Sequence, residues 1–122
     1  MIDAIIGIAF DCKNANELAD FYVNITGWKK EITSEEWAGI RAPQGFLLVF
    51  QTVDNYVPPV WPWRDGKQQQ MAHIDFKVEN LKEAELLAVK YGAKKAETQY
   101  FDTSTVMLDP AGHPFCLSTL QQ

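Results

Sequence analysis

The sequence predicts an α+β fold made of two tandem βαβββ modules related by pseudo-twofold symmetry. Three observations predict it. An alternating apolar stretch occurs twice, an Asn-capped amphipathic pattern follows each copy, and each copy ends in a Pro-x-Gly turn that feeds an apolar run. The offset between the two copies barely drifts along the chain. A repeat of whole supersecondary units explains this better than chance.

Ile8, Phe10 and Cys12 fall on Ile74, Phe76 and Val78 when Gly7 is placed over His73. Apolar residues at every second position mark a half-buried strand. Asn14 and Asn80 come next, each followed three residues later by Glu17 and Glu83. An amide oxygen there accepts from a free first-turn N–H, which predicts a helix start in both copies. Leu18, Phe21, Tyr22 and Ile25 recur at helical spacing, as do Ala84, Leu87, Ala88 and Tyr91. Gly27 and Gly92 close the two patterns, where a left-handed residue is favoured.

Strands at roughly 31–33 and 95–98 continue each module. Pro43-Gln44-Gly45 and Pro110-Ala111-Gly112 then turn the chain into the runs at 46–50 and 113–117, each with a preceding strand as hairpin partner. Gly7 and Gly39, lone glycines in strand-like runs, predict a bulge or a close backbone approach. The expected organisation is one domain over 1–122, with modules at about 4–53 and 71–120. The join at about 54–70 is rich in Pro and aromatic residues. Its prolines block helix and central strand, and Tyr56, Trp61 and Trp63 predict an ordered excursion that packs on something.

The chain has 122 residues, net charge −5 and 47% hydrophobic residues. An acidic balance without a Lys/Arg cluster argues against nucleic acid and against anionic membrane surfaces as partners. No run of ~18 apolar residues predicts a transmembrane helix. The opening Met1–Ile6 lacks the basic flank and apolar length of a secretory signal, and with two cysteines this predicts a cytoplasmic protein. Phosphate-binding glycine loops, zinc-spaced Cys/His clusters and nucleophile elbows are absent from the sequence.

The repeat carries a family likeness. Phe21-Tyr22 before Gly27-Trp28, His73-Ile74-Asp75-Phe76, the Pro-Pro-x-Trp-Pro join and the closing Asp109-Pro110-Ala111-Gly112-His113-Pro114-Phe115-Cys116-Leu117 resemble the vicinal oxygen chelate superfamily. These are the glyoxalase/bleomycin resistance/dioxygenase proteins, and the likeness is to their small glyoxalase-like branch. It implies modules joined edge to edge, with curved mixed sheets that form a cleft, and a homodimer. It also implies a divalent metal held from the first and last strands of each module. The matching positions are Gly7, Val49, His73 and Cys116, so only His73 is a plausible metal ligand in that set. The cofactor expectation is therefore that no metal is tightly held, with a divalent metal left as the alternative.

His73 lies opposite Ile74 and Phe76 by alternation and is expected to face the cleft, with Asp75 and Lys77 on the same face. His73 and Asp75 are the candidate catalytic pair, as acid and base; a His hydrogen-bonded to a neighbour or to substrate is the plainer reading. Cys116 is expected to face the cleft, as ligand contact, nucleophile or small buried hydrophobe. Cys12 is expected on the opposite, core face, so no disulfide joins the two. Trp37, Phe50, Trp61 and Trp63 are candidate ligand-binding aromatics. The functional expectation is a small organic molecule bound in the cleft. A metal-dependent lyase, isomerase or dioxygenase and a drug-sequestering resistance protein are the alternatives.

Overall fold

The computed structural model describes residues 1–120. The chain divides into two compact units, Met1–Tyr56 and Val57–Gln122, and each repeats the same topology. In the first, β1 (Gly7–Cys12) leads through helix α1 (Ala15–Thr26) to β2 (Lys30–Thr33), β3 (Trp37–Arg41) and β4 (Leu47–Thr52). The sheet order is β1-β4-β3-β2, with β1 parallel to β4 and the other pairs antiparallel. In the second unit, β5 (Ile74–Lys77), helix α2 (Leu81–Lys90), β6 (Lys94–Lys95), β7 (Ser104–Leu108) and β8 (Pro114–Ser118) give the order β5-β8-β7-β6. Again only the first and last strands pair in parallel. These are the two βαβββ modules the repeat predicts.

The local signals act as their chemistry requires. Asn14 Oδ1 accepts from the Glu17 N–H at 3.1 Å, and Asn80 Oδ1 from the Glu83 N–H at 3.0 Å. Gly27 ends α1 at φ 74°, in the left-handed region. In the closing turn of the second unit, the buried Asp109 carboxylate accepts from the N–H groups of Ala111 (2.9 Å) and His113 (3.0 Å). Gly112 is required there twice over. Its φ is 89°, and a Cβ would lie 3.0 Å from Cβ of Pro58. Gly39 faces Ile32 so closely that a Cβ would meet its Cδ1 at 3.3 Å, beside a register shift between Lys30 and Ile32.

The cores differ in character. In the first unit, Leu18, Phe21 and Tyr22 of α1 are buried with Ile40, Leu48 and Phe50, and the Tyr22 and Phe50 rings stack at 5.3 Å. In the second, Phe115, Met107 and Leu117 are buried, and Phe76 meets Phe115 edge-on at 5.9 Å. Helix α2 departs from the predicted apolar face: Ala88 is its one buried residue, while Leu87 and Tyr91 remain 39% and 38% exposed. A small residue at the contact lets a helix approach the sheet closely, which leaves its longer neighbours at the margin. Strand β6 is also shorter than predicted, for a reason that concerns the site.

Candidate functional site

The site is built on one face of the second unit. β5 and β8 pair in parallel with Asp75 opposite Cys116 and Lys77 opposite Ser118. Side chains alternate along a strand, so these four share a face while the buried Phe115 and Leu117 take the other. β7 adds Val106 opposite Cys116 and Ser104 opposite Ser118. His73 precedes β5 by one residue, and its Nε2 lies 3.0 Å from Oδ1 of Asp75. All of these side chains line one cavity of about 520 Å³.

Aromatic side chains contribute to the rest of the lining. Trp61, from the Pro-rich join, meets Tyr100 edge-on with ring centroids 5.8 Å apart, and Phe101 follows. Tyr100 and Phe101 are 64% and 72% exposed, a large apolar area to leave against water. Gln99 sets their position. Its amide Nε2 donates to the carbonyls of Ala96 and Val106, both at 2.9 Å, and its Oε1 accepts from the Val106 N–H at 2.8 Å. The last backbone bond to β7 runs from the Ala96 N–H to the Val106 carbonyl at 3.1 Å, and beyond it the Gln99 side chain stands in for the backbone. This is why β6 stops at two residues and why the chain from 99 to 103 is diverted along the cavity.

Electrostatics bear on Cys116 most. Burial, then the hydrogen bond to Asp75 and the charge of that carboxylate, push its thiol up to about 11. It is therefore a poor nucleophile by itself near neutral pH, since the thiolate is the reactive form. Cys12 lies on the core face and donates from Sγ to the Gln51 carbonyl at 3.4 Å; neither cysteine is in a disulfide.

Of the candidate residues, the cavity brings together His73, Asp75, Trp61 and Cys116. Phe50 requires correction: it is 1% exposed and stacked in the core of the first unit, where it has no surface to offer a ligand. Trp37 opens β3 in the first unit, half-exposed, and is not part of this lining. Trp63 is likewise outside it, half-exposed, with its indole N–H donating to the Lys67 carbonyl at 3.3 Å. Gln99, Tyr100, Phe101 and Val106 also line the cavity, outside the residues that strand alternation points to. A Tyr-Phe pair in a polar stretch between two strands is the one signal that points to them.

The four-position metal set implied by the resemblance does not assemble as a donor set. Gly7 has no side chain and Val49 carries no donor atom. The second unit instead offers another group: one ligand atom each from His73, Asp75 and Cys116, all within 4.8 Å of one another.

Comparison with known proteins agrees with the architecture. The family model of the glyoxalase-like domain matches residues 7–118. A glyoxalase family protein from Enterococcus faecalis superposes with a TM-score of 0.69 at 20% identity, covering 96% of this chain and 98% of that one. A glyoxalase-related enzyme from Fulvimarina pelagi gives 0.72 at 15%, covering 96% and 88%. A variant of the fosfomycin resistance protein FosX from Listeria monocytogenes, complexed with Mn(II) and a dihydroxypropylphosphonic acid, gives 0.74 at 16%, covering 99% and 93%. A search of curated proteins finds no match. At these identities the solved structures speak for the fold alone, while the family model spans both modules from the first strand to the last: the chain belongs to the glyoxalase-like domain family.

Proposed function

We propose that this protein binds a small, largely apolar organic molecule in the cavity of its second unit. The observation that carries this reading is the cavity itself. A volume of about 520 Å³ is lined by Trp61, Tyr100, Phe101 and Val106, with His73, Asp75 and Lys77 on the strand face. Ligand sites typically combine an apolar lining of about 300–1,000 Å³ with a few polar anchors. Exposed Tyr100 and Phe101 gain by covering a guest, because that removes their apolar surface from water.

The probe is 1-anilinonaphthalene-8-sulfonate, an aromatic anion whose fluorescence rises on leaving water. Expected is saturable one-to-one enhancement, lost in Val106→Trp, where an indole fills the cavity beside Cys116. Circular dichroism of the variant checks that it is folded. Absence of saturable binding overturns the reading, and so does binding that survives in the folded, filled variant. The same titration with basic antibiotics tests drug sequestration.

A second reading rests on the 3.0 Å contact between His73 Nε2 and Asp75 Oδ1. A carboxylate so placed holds an imidazole in one orientation and one tautomer, the arrangement of a general base directed at a bound molecule. For that reading His73→Ala abolishes turnover and leaves probe binding intact. Turnover retained in His73→Ala removes the pair from the chemistry.

A further inference from the structure

The strand face of the cavity consists of two rungs. In the first, Asp75 of β5 stands opposite Cys116 of β8, which stands opposite Val106 of β7. In the second, two residues along each strand, Lys77 stands opposite Ser118 and Ser118 opposite Ser104. All six side chains line the cavity. The rungs differ in what they leave unpaired. Asp75 is engaged: His73 Nε2 lies 3.0 Å from its Oδ1, and the Cys116 thiol is hydrogen-bonded to it. Among the described residues, Lys77 has no carboxylate partner and the Ser104 hydroxyl has no hydrogen-bond partner. Ser118 Oγ accepts from the Leu120 N–H at 3.1 Å, which occupies a lone pair and leaves the hydroxyl proton to be donated. An ammonium and two hydroxyls, three donors without an acceptor, therefore stand side by side.

We propose that the guest of this cavity is an apolar acid, an aromatic body carrying one carboxylate, whose anionic head is held by Lys77 and the hydroxyls of Ser118 and Ser104. The inference rests on the cavity being a binding site and names the chemical class of its ligand. A carboxylate has only acceptors to offer, which is what the second rung lacks, and its bonds to an ammonium are stronger than those between neutral groups. Reach is sufficient. Neighbouring strands lie about 4.8 Å apart, and the lysine stem is longer than that, so its ammonium meets an anion seated over Ser118. The body of the guest has the aromatic part of the lining, Trp61, Tyr100 and Phe101, to cover. Among the described residues that line the cavity, Lys77 is the one Lys or Arg. The net charge of −5 disfavours anions over the molecule at large, so selection for one has to come from these local donors.

Isothermal titration calorimetry of the full chain tests this with three probes of one shape: anionic 2-naphthoate, neutral 2-naphthamide and cationic 2-naphthylmethylammonium. Expected is one-to-one binding of naphthoate at least ~10-fold tighter than of naphthamide, with the ammonium weakest. Lys77→Met keeps the length of the stem and removes the charge, so that preference should fall to within ~2-fold while naphthamide binding is unchanged. Lys77→Arg should retain it. Ser104→Ala, which removes a hydroxyl that no described residue uses, should weaken naphthoate about 3-fold and spare naphthamide, and it keeps the test decisive if Lys77→Met fails to fold. Equal binding of naphthoate and naphthamide overturns the proposal and leaves the organic-guest reading standing. Tighter binding of the ammonium probe does the same, as does a preference for naphthoate that survives in Lys77→Met. Binding of none of the three overturns both.

Discussion

Cys116 shows how much a single position depends on its cross-strand partner. Its side chain shares a face with Asp75 because β5 and β8 pair in that register, and the carboxylate together with burial raises the thiol pKa to about 11. The sign of the stability effect follows. A group whose folded pKa is raised favours the folded state below its ordinary value, here 9.0, and that contribution is lost as pH rises through about 11. Alkylation of metal-free protein by iodoacetamide at neutral pH is therefore expected to be slower at Cys116 than for an unhindered thiol. Its rate should keep rising to about pH 11. A rate that levels off below pH 9 would show that Asp75 and burial do not protect the thiol. Cys116→Ser should also lose less stability than the parent over that alkaline range, as followed by thermal melts.

At the scale of elements, the segment from Lys94 to Leu108 decides the shape of the cavity. Gln99 spans the gap between β6 and β7 with three hydrogen bonds to backbone, including both polar groups of Val106. Gln99→Ala leaves the Val106 N–H unmatched, while the Val106 carbonyl keeps the Ala96 N–H at 3.1 Å, and a loss of about 1–3 kcal/mol is expected from urea denaturation. Because the same bonds hold Tyr100 and Phe101 along the cavity, probe binding should weaken with it. Unchanged stability and unchanged binding would mean that the segment is placed by other contacts. Helix α2 is held on the sheet by a different device. Thr105 Oγ1 donates to Glu85 at 2.7 Å and Lys95 Nζ lies 3.2 Å from the same carboxylate, holding it below the usual carboxylate range. That polar clasp accompanies an interface in which the helix buries one alanine.

At the scale of the molecule, the same topology is used twice with unequal chemistry. The first unit has the larger aromatic core and carries no member of the His–Asp–Cys group, whereas the second carries all three and the cavity. Among the described residues no helix is long and apolar enough to cross a membrane. The first unit instead exposes Ile2, Ile5, Ile6 and Ile8 along and ahead of β1, an edge strand of its sheet. Exposed apolar edges favour pairing with another chain. The prediction at this scale is a homodimer on gel filtration at micromolar concentration, shifted toward monomer in Ile6→Lys. A monomeric parent chain would remove that expectation.

Periodicity, caps and turns are local, and they carried the architecture. Asn14, Asn80, Gly27, Gly45 and Gly112 stand where backbone groups need a side-chain partner or a positive φ, and those needs are visible within a few residues of chain. Alternation likewise placed His73, Asp75 and Cys116 on one side of their strands. What alternation lacks is register across strands. That Asp75 faces Cys116, that Gln99 replaces a strand, and that Phe50 is sealed against Tyr22 are facts about residues far apart in sequence. A shift of one residue in pairing would reverse the faces, so only the packed sheets could decide them. Local patterns in the chain suffice for two βαβββ modules and for the polar row from His73 to Lys77. Tertiary structure decided the rest: which donors converge, which aromatics line a cavity, and which merely fill a core.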